Sequence, residues 1–167
     1  MQEWSFVRHT RQNHAIEHAT VTILAQRDPR RRLFARSDPG GFLLYGAVTT
    51  AEVRAAVSEA LNRLRAGEHN LAIHPNCGTN FVAAGFLASL AAAAARLLSR
   101  RARWQALPLT VLTATLALLA AQPLGYLAQA HITTLAEVGD VQIDRVERGS
   151  WLGIPVHRVR FTYAPER

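Results

Sequence analysis

Two long stretches almost without charge limit this chain more than any other feature. From Phe81 to Leu98 the sequence FVAAGFLASLAAAAARLL carries one charge, Arg96, near its end, and from Trp104 to Ala130 the sequence WQALPLTVLTATLALLAAQPLGYLAQA carries none. A hydrocarbon core is crossed by roughly 17 to 25 residues of helix, so both are long enough. The first is alanine-rich and inserts weakly. The second is more apolar, with Pro108, Pro123 and Gly125 near its ends, where membrane helices tolerate them. The pair reads as a two-helix transmembrane hairpin at residues 81–130 in the cell membrane; the alternative is a buried helical hairpin of a soluble protein. Between the runs, SRRAR concentrates Arg100, Arg101 and Arg103. The positive-inside rule puts that loop in the cytoplasm and the flanking segments outside. The lone Cys77 and the lack of an apolar leader in MQEWSFVRHTRQNH favour a cytoplasmic main domain instead. The expectation adopted is the cytoplasmic one, with the hairpin shallow enough for its arginines to snorkel to the headgroups.

The remainder brackets this insertion: an N-terminal part, 1–80, and a tail, 131–167. At 167 residues the chain holds one domain plus the hairpin. Its net charge is +7, and all nineteen basic residues are arginine. They are dispersed and lack interleaved stacking aromatics, which argues against nucleic acid as a partner. One cysteine excludes an internal disulfide framework.

Residues 4–26 read as a helix with Val7, His14, Glu17, His18, Val21 and Ala25 along one stripe. His14 and His18 are four apart and therefore neighbours on that face, and Glu17 shares it. HAIEH thus has the spacing His-x-x-Glu-His, in which two imidazoles hold zinc and the glutamate serves as base. An ordinary core in which these groups hydrogen-bond one another is the competing reading.

RDPRRRLFARSDPGG then reads as a solvated, arginine-rich loop that can rest on anionic headgroups. FLLYGAV, 42–48, is a strand. TTAEVRAAVSEALNRLRAG is a helix opened by a Thr49/Glu52 capping box and closed near Gly67. NLAIHP reads as a second strand, giving a βαβ unit with parallel strands and His74 at a strand's carboxyl end. In HPNCGTN, His74 and Cys77 are two metal-competent side chains three apart, with Thr79 or Asn80 as N-cap of the following helix. The tail, VQIDRVERGSWLGIPVHRVRFTY, reads as two strands that extend the sheet, with Val159, Phe161 and Tyr163 alternating against Arg158, Arg160 and Thr162. His157 reads as an exposed strand residue, with approach to the metal as the alternative. The fold class expected is α+β, a small βαβ-containing sheet domain with an inserted transmembrane hairpin.

HAIEHATV, GGFLLYGAV, RAGEHNLAIHPNCGTN and the apolar hairpin together resemble a family of small uncharacterised membrane proteins, a domain of unknown function found in cyanobacteria and Chloroflexota. That resemblance spans most of the chain and implies an architecture but no activity. Residues 14–18 alone resemble the inverted-motif zinc metallopeptidases, which implies His14 and His18 as ligands and Glu17 as base. The metal expected is zinc, held by His14, His18 and one or both of His74 and Cys77; three protein ligands would leave one position for water. Two functions compete: a non-catalytic module or assembly factor of a larger membrane complex, with the bilayer and a membrane protein or second copy as partners, and a membrane-associated zinc hydrolase using Glu17.

Overall fold

The computed structural model describes residues 4–98 and 104–164; the expected Arg100, Arg101 and Arg103 loop lies outside the described residues. Two compact units emerge, one from 1–74 with 130–167 and one from 75–129.

The first unit is built on α1, Ser5–Arg27. Its middle is buried on nearly every side, Gln12, Asn13 and each residue from Ala15 to Thr20 being enclosed. The single inward stripe expected from the sequence fails at its start, where Val7 is exposed. Helix α2, Thr50–Arg65, begins with the expected reciprocal cap: the Thr49 hydroxyl accepts from the Glu52 N–H, and the Glu52 carboxylate accepts from the Thr49 N–H. Ala66 closes it, and Gly67 follows with φ +94°.

Four strands, β1 (Phe34–Asp38), β2 (Gly41–Tyr45), β3 (Val141–Trp151) and β4 (Ile154–Tyr163), form one sheet in the order β1-β2-β4-β3. Every pairing is antiparallel. The fold is therefore α+β, but without the expected parallel βαβ unit. Both edges of β2 are occupied, one by β1 and the other by β4, so no edge is left for a parallel neighbour. NLAIHP contributes a short 3₁₀ turn, His69–Ala72, rather than a strand. The arginine-rich loop, in turn, contains strand β1 and the turn that returns it into β2.

The tail alternates as expected, with Val159 and Phe161 buried and Arg160 and Thr162 exposed. One face of the sheet supplies Phe42, Leu44, Val141, Val159 and Phe161 to a core completed by Ile16, Ile23 and Leu24 of α1 and Val53, Val57, Leu61 and Leu64 of α2.

The second unit holds α3, Gly78–Leu98, and α4, Leu107–Ala128. A π-helical turn, Gln129–Thr133, continues α4. Two helices are long and apolar enough to cross a membrane, Gly78–Leu98 and Leu107–Thr133, and most of their surface is exposed. Within this unit they are fastened by polar groups: Gln129 Nε2 donates to Asn80 Oδ1 at 2.7 Å, and Asn80 Nδ2 donates to the Pro75 carbonyl at 2.7 Å. Gly125 makes room for that asparagine, since a Cβ there would lie 2.3 Å from Asn80 Oδ1.

Gly41, at the entry to β2, has φ +138°, and a Cβ there would lie 2.0 Å from the Val159 carbonyl oxygen. Gly41→Ala is expected to destabilise the protein by about 3 kcal/mol, through backbone strain and loss of β2–β4 register. At Gly139 an added Cβ meets nothing within 4 Å, so Gly139→Ala is the control. Thermal unfolding followed by circular dichroism in detergent checks this; equal midpoints for the two variants would contradict it.

Candidate metal centre

Three of the four expected donors, His14, His18 and His74, lie in the first unit, and their rings are neighbours there. The His14 and His18 ring centroids are 4.3 Å apart, and those of His18 and His74 5.7 Å. Helical spacing explains the first pair. His74 follows the 3₁₀ turn and is half-buried.

Hydrogen bonding fixes the tautomer of the two helical histidines. His14 Nδ1 lies 2.9 Å from the Thr133 carbonyl oxygen, and His18 Nδ1 lies 2.7 Å from that of Ala72. A carbonyl only accepts, so each Nδ1 carries a proton, and in the neutral ring Nε2 is then the atom with the lone pair. This is how metal-binding histidines are held: the second nitrogen donates to a carbonyl or carboxylate, which sets the ring and raises the basicity of the ligating nitrogen. Ligand atoms of His14 and His18 lie within 4.8 Å of each other.

Glu17 falls between the two histidines in sequence and is buried, with Ser37 of β1 beside its carboxyl group. Burial pushes its pKa above the ordinary carboxylate value; His14 and the two Ser37 hydrogen bonds pull it back only partly. Burial also lowers the His74 pKa, and the neighbouring His18 lowers it further. Both shifts favour neutral side chains, and a neutral imidazole is the form that binds a metal.

Cys77 opens the second unit, three residues along the chain from His74. It is buried, its Sγ accepts from the Thr79 N–H at 3.4 Å, and its carbonyl accepts from the Asn80 N–H at 3.0 Å. The thiol thus stands at the start of α3. Thr79 and Asn80, expected as caps, fall inside the first turn because the helix begins at Gly78.

His157 is a core residue rather than an exposed one: it is fully buried, and its Nε2 lies 3.2 Å from the Thr50 hydroxyl. Burial, followed by the charge of Arg148, lowers its pKa. The residues that sequence reasoning missed are Ser37 and the two that supply carbonyl acceptors, Thr133 and Ala72. A backbone carbonyl leaves no signature in side-chain identity, and these lie 119 and 54 positions from the rings they hold.

The model of a family described as DUF6391, a domain of unknown function, matches residues 9–146. An uncharacterized protein of the cyanobacterium Picosynechococcus sp. is 40% identical over 173 residues, covering 98% of this chain and 82% of that relative. No solved structure matches the chain.

The Glu17 shift has a testable sign. Its folded pKa stands above the ordinary 4.5, so its contribution to stability is fully present below pH 4.5 and is lost as pH rises through the folded value. In metal-free protein, Glu17→Gln is therefore expected to gain stability relative to the parent as pH rises from 4 towards neutrality. Unfolding midpoints measured in chelator check this, and a gap that does not change with pH would contradict it.

Proposed function

The chain belongs to the DUF6391 family, and we propose that it is a zinc-binding integral membrane protein whose metal centre serves structure and docking rather than catalysis. The donor set is His14, His18, His74 and Cys77. Three imidazoles and a thiolate make a tetrahedral donor set of the Cys-His₃ kind, which suits zinc. The observation that carries this reading is the pair of Nδ1–H donations to Thr133 and Ala72, which presents both Nε2 atoms as ligands at once.

A structural role follows from two features. Four protein donors leave no open coordination position, and a catalytic zinc needs one. Glu17, the residue a hydrolase would use as base, is buried with Ser37 beside its carboxyl group. The protein then acts as a module of, or assembly factor for, a larger membrane complex, anchored by α3 and α4 with its main domain in the cytoplasm. Its partners are the bilayer and a membrane protein or second copy. One observation favours the alternative, a zinc-dependent hydrolase: the elevated Glu17 pKa suits a group that takes a proton from water near neutral pH.

Purified under chelator-free conditions, the protein is expected to carry about one zinc per chain, falling more than about tenfold when His14 and His18 are both replaced by alanine. Absence of metal in the parent protein refutes the centre. Glu17→Gln decides between the roles. Retained metal and fold with loss of a hydrolytic activity supports the enzyme, whereas an unchanged cellular phenotype supports the module. Carbonate at high pH is expected to leave the protein in the membrane fraction; release of intact protein would mean that α3 and α4 are packed in a soluble core.

A further inference from the structure

The turn joining β3 to β4 is unusual in what it exposes. Trp151, Leu152 and Ile154 are 59%, 81% and 44% exposed, and only Gly153 separates the last two. Leu152 has φ +49° and Gly153 φ +77°. Two successive residues in the left-handed region make the tight turn that Asn-Gly or Asp-Gly ordinarily supplies. A leucine is disfavoured there, and at this exposure it gains little packing in return. Residues held in such a conformation cluster at functional positions.

The turn does not stand alone. Trp151 lies edge-on to Tyr45, with ring centroids 6.1 Å apart, and Tyr45 lies against Phe34 at 5.8 Å. Tyr45 follows Leu44 by one position on β2, so it stands on the face opposite the core. An aromatic row therefore runs across the outer face from edge strand β1 to the turn, with Phe34 66% exposed. Basic residues accompany it. Arg30, Arg32 and Arg36 are all exposed. Arg32 passes the same end of the sheet: a Cβ on Gly46 would lie 2.8 Å from its carbonyl oxygen, and the Gly46 N–H donates to Pro155 beside the turn. The neighbouring acids Asp28 and Glu52 both pair with Arg31, so the stretch keeps a positive excess.

We propose that the Trp151–Ile154 turn and the Phe34/Tyr45 row seat in the headgroup region of an anionic leaflet. The inference rests on the reading of the chain as a membrane protein and adds a second contact, made by the sheet. Tryptophan and tyrosine favour that region because their rings are apolar and their tips polar. Arginines around them supply charge complementary to acidic lipids. A projecting apolar turn is a wedge, suited to a deformable surface rather than to a preformed groove. Arginine along β1 also discourages pairing of that edge with a second copy.

The chain has three tryptophans, and Trp4 and Trp104 are both largely exposed, so Trp4→Phe with Trp104→Phe leaves Trp151 as sole reporter in the full chain. The protein is reconstituted into vesicles of equal parts phosphatidylcholine and phosphatidylglycerol, with or without brominated acyl chains. Trp151 emission is expected to fall by about half with brominated lipid, as for interfacial tryptophans. The loss should shrink in phosphatidylcholine alone and when Arg30, Arg32 and Arg36 are replaced by glutamine. Leu152→Asn, which suits the turn, should raise the unfolding midpoint yet weaken the quenching. A companion protein keeping only Trp104 reports on the α3–α4 anchor. Quenching of Trp104 without quenching of Trp151 overturns the proposal while sparing the anchor; quenching of neither overturns both. Equal quenching without acidic lipid removes the anionic assignment. Protection of Trp151 from acrylamide as well as from bromine would place a protein partner there instead.

Discussion

Everything in the first unit depends on a helix that buries polar side chains around most of its circumference. Leaving one buried donor or acceptor unpaired costs about 1–3 kcal/mol, so several polar groups on α1 dictate where distant segments must pass. Gln12 donates to the Glu137 carbonyl and to Asp140. Asn13 donates to the Asp38 carbonyl and accepts from the Tyr163 hydroxyl. His14 and His18 take the carbonyls of Thr133 and Ala72, and Glu17 takes Ser37. Five successive demands on one helix thereby gather the strand ends, the 3₁₀ turn and the segment after the π-helical turn.

The proposed metal centre draws on the same constraint rather than being added to it. Histidines whose Nδ1–H groups are needed to satisfy backbone carbonyls can turn only their Nε2 atoms elsewhere. The lowered His74 pKa and the raised Glu17 pKa both disfavour uncompensated charge there. Around the periphery, ordinary surface chemistry suffices: the Arg158 guanidinium forks onto Asp38 and holds that carboxyl below its usual range.

Much of this was legible in the residues. The lengths of the uncharged runs marked α3 and α4, the Thr49/Glu52 pair marked the start of α2, and strict alternation in the tail marked β4. Histidines at i and i+4 marked one side of the candidate site. The parallel βαβ unit was misread because strand, helix and apolar run in sequence do not reveal which edges of β2 are taken, and those edges are claimed by β1 and by a strand more than a hundred residues later. Strand β1, FARSD, escaped because an edge strand with one buried side carries little hydrophobic signal. His157 was misplaced because its partner, Thr50, comes from another element. Tertiary pairing decided each of these, and no local pattern encodes it.

The central claim is that α1 presents two Nε2 atoms to one ion, with His74 and Cys77 completing its shell. X-ray absorption at the zinc edge of the purified protein addresses that directly. The account predicts four-coordinate zinc with nitrogen at about 2.0 Å, one sulfur at about 2.3 Å, and the outer-shell scattering of imidazole rings. A six-coordinate shell of oxygens without imidazole scattering, or one lacking sulfur, would contradict it.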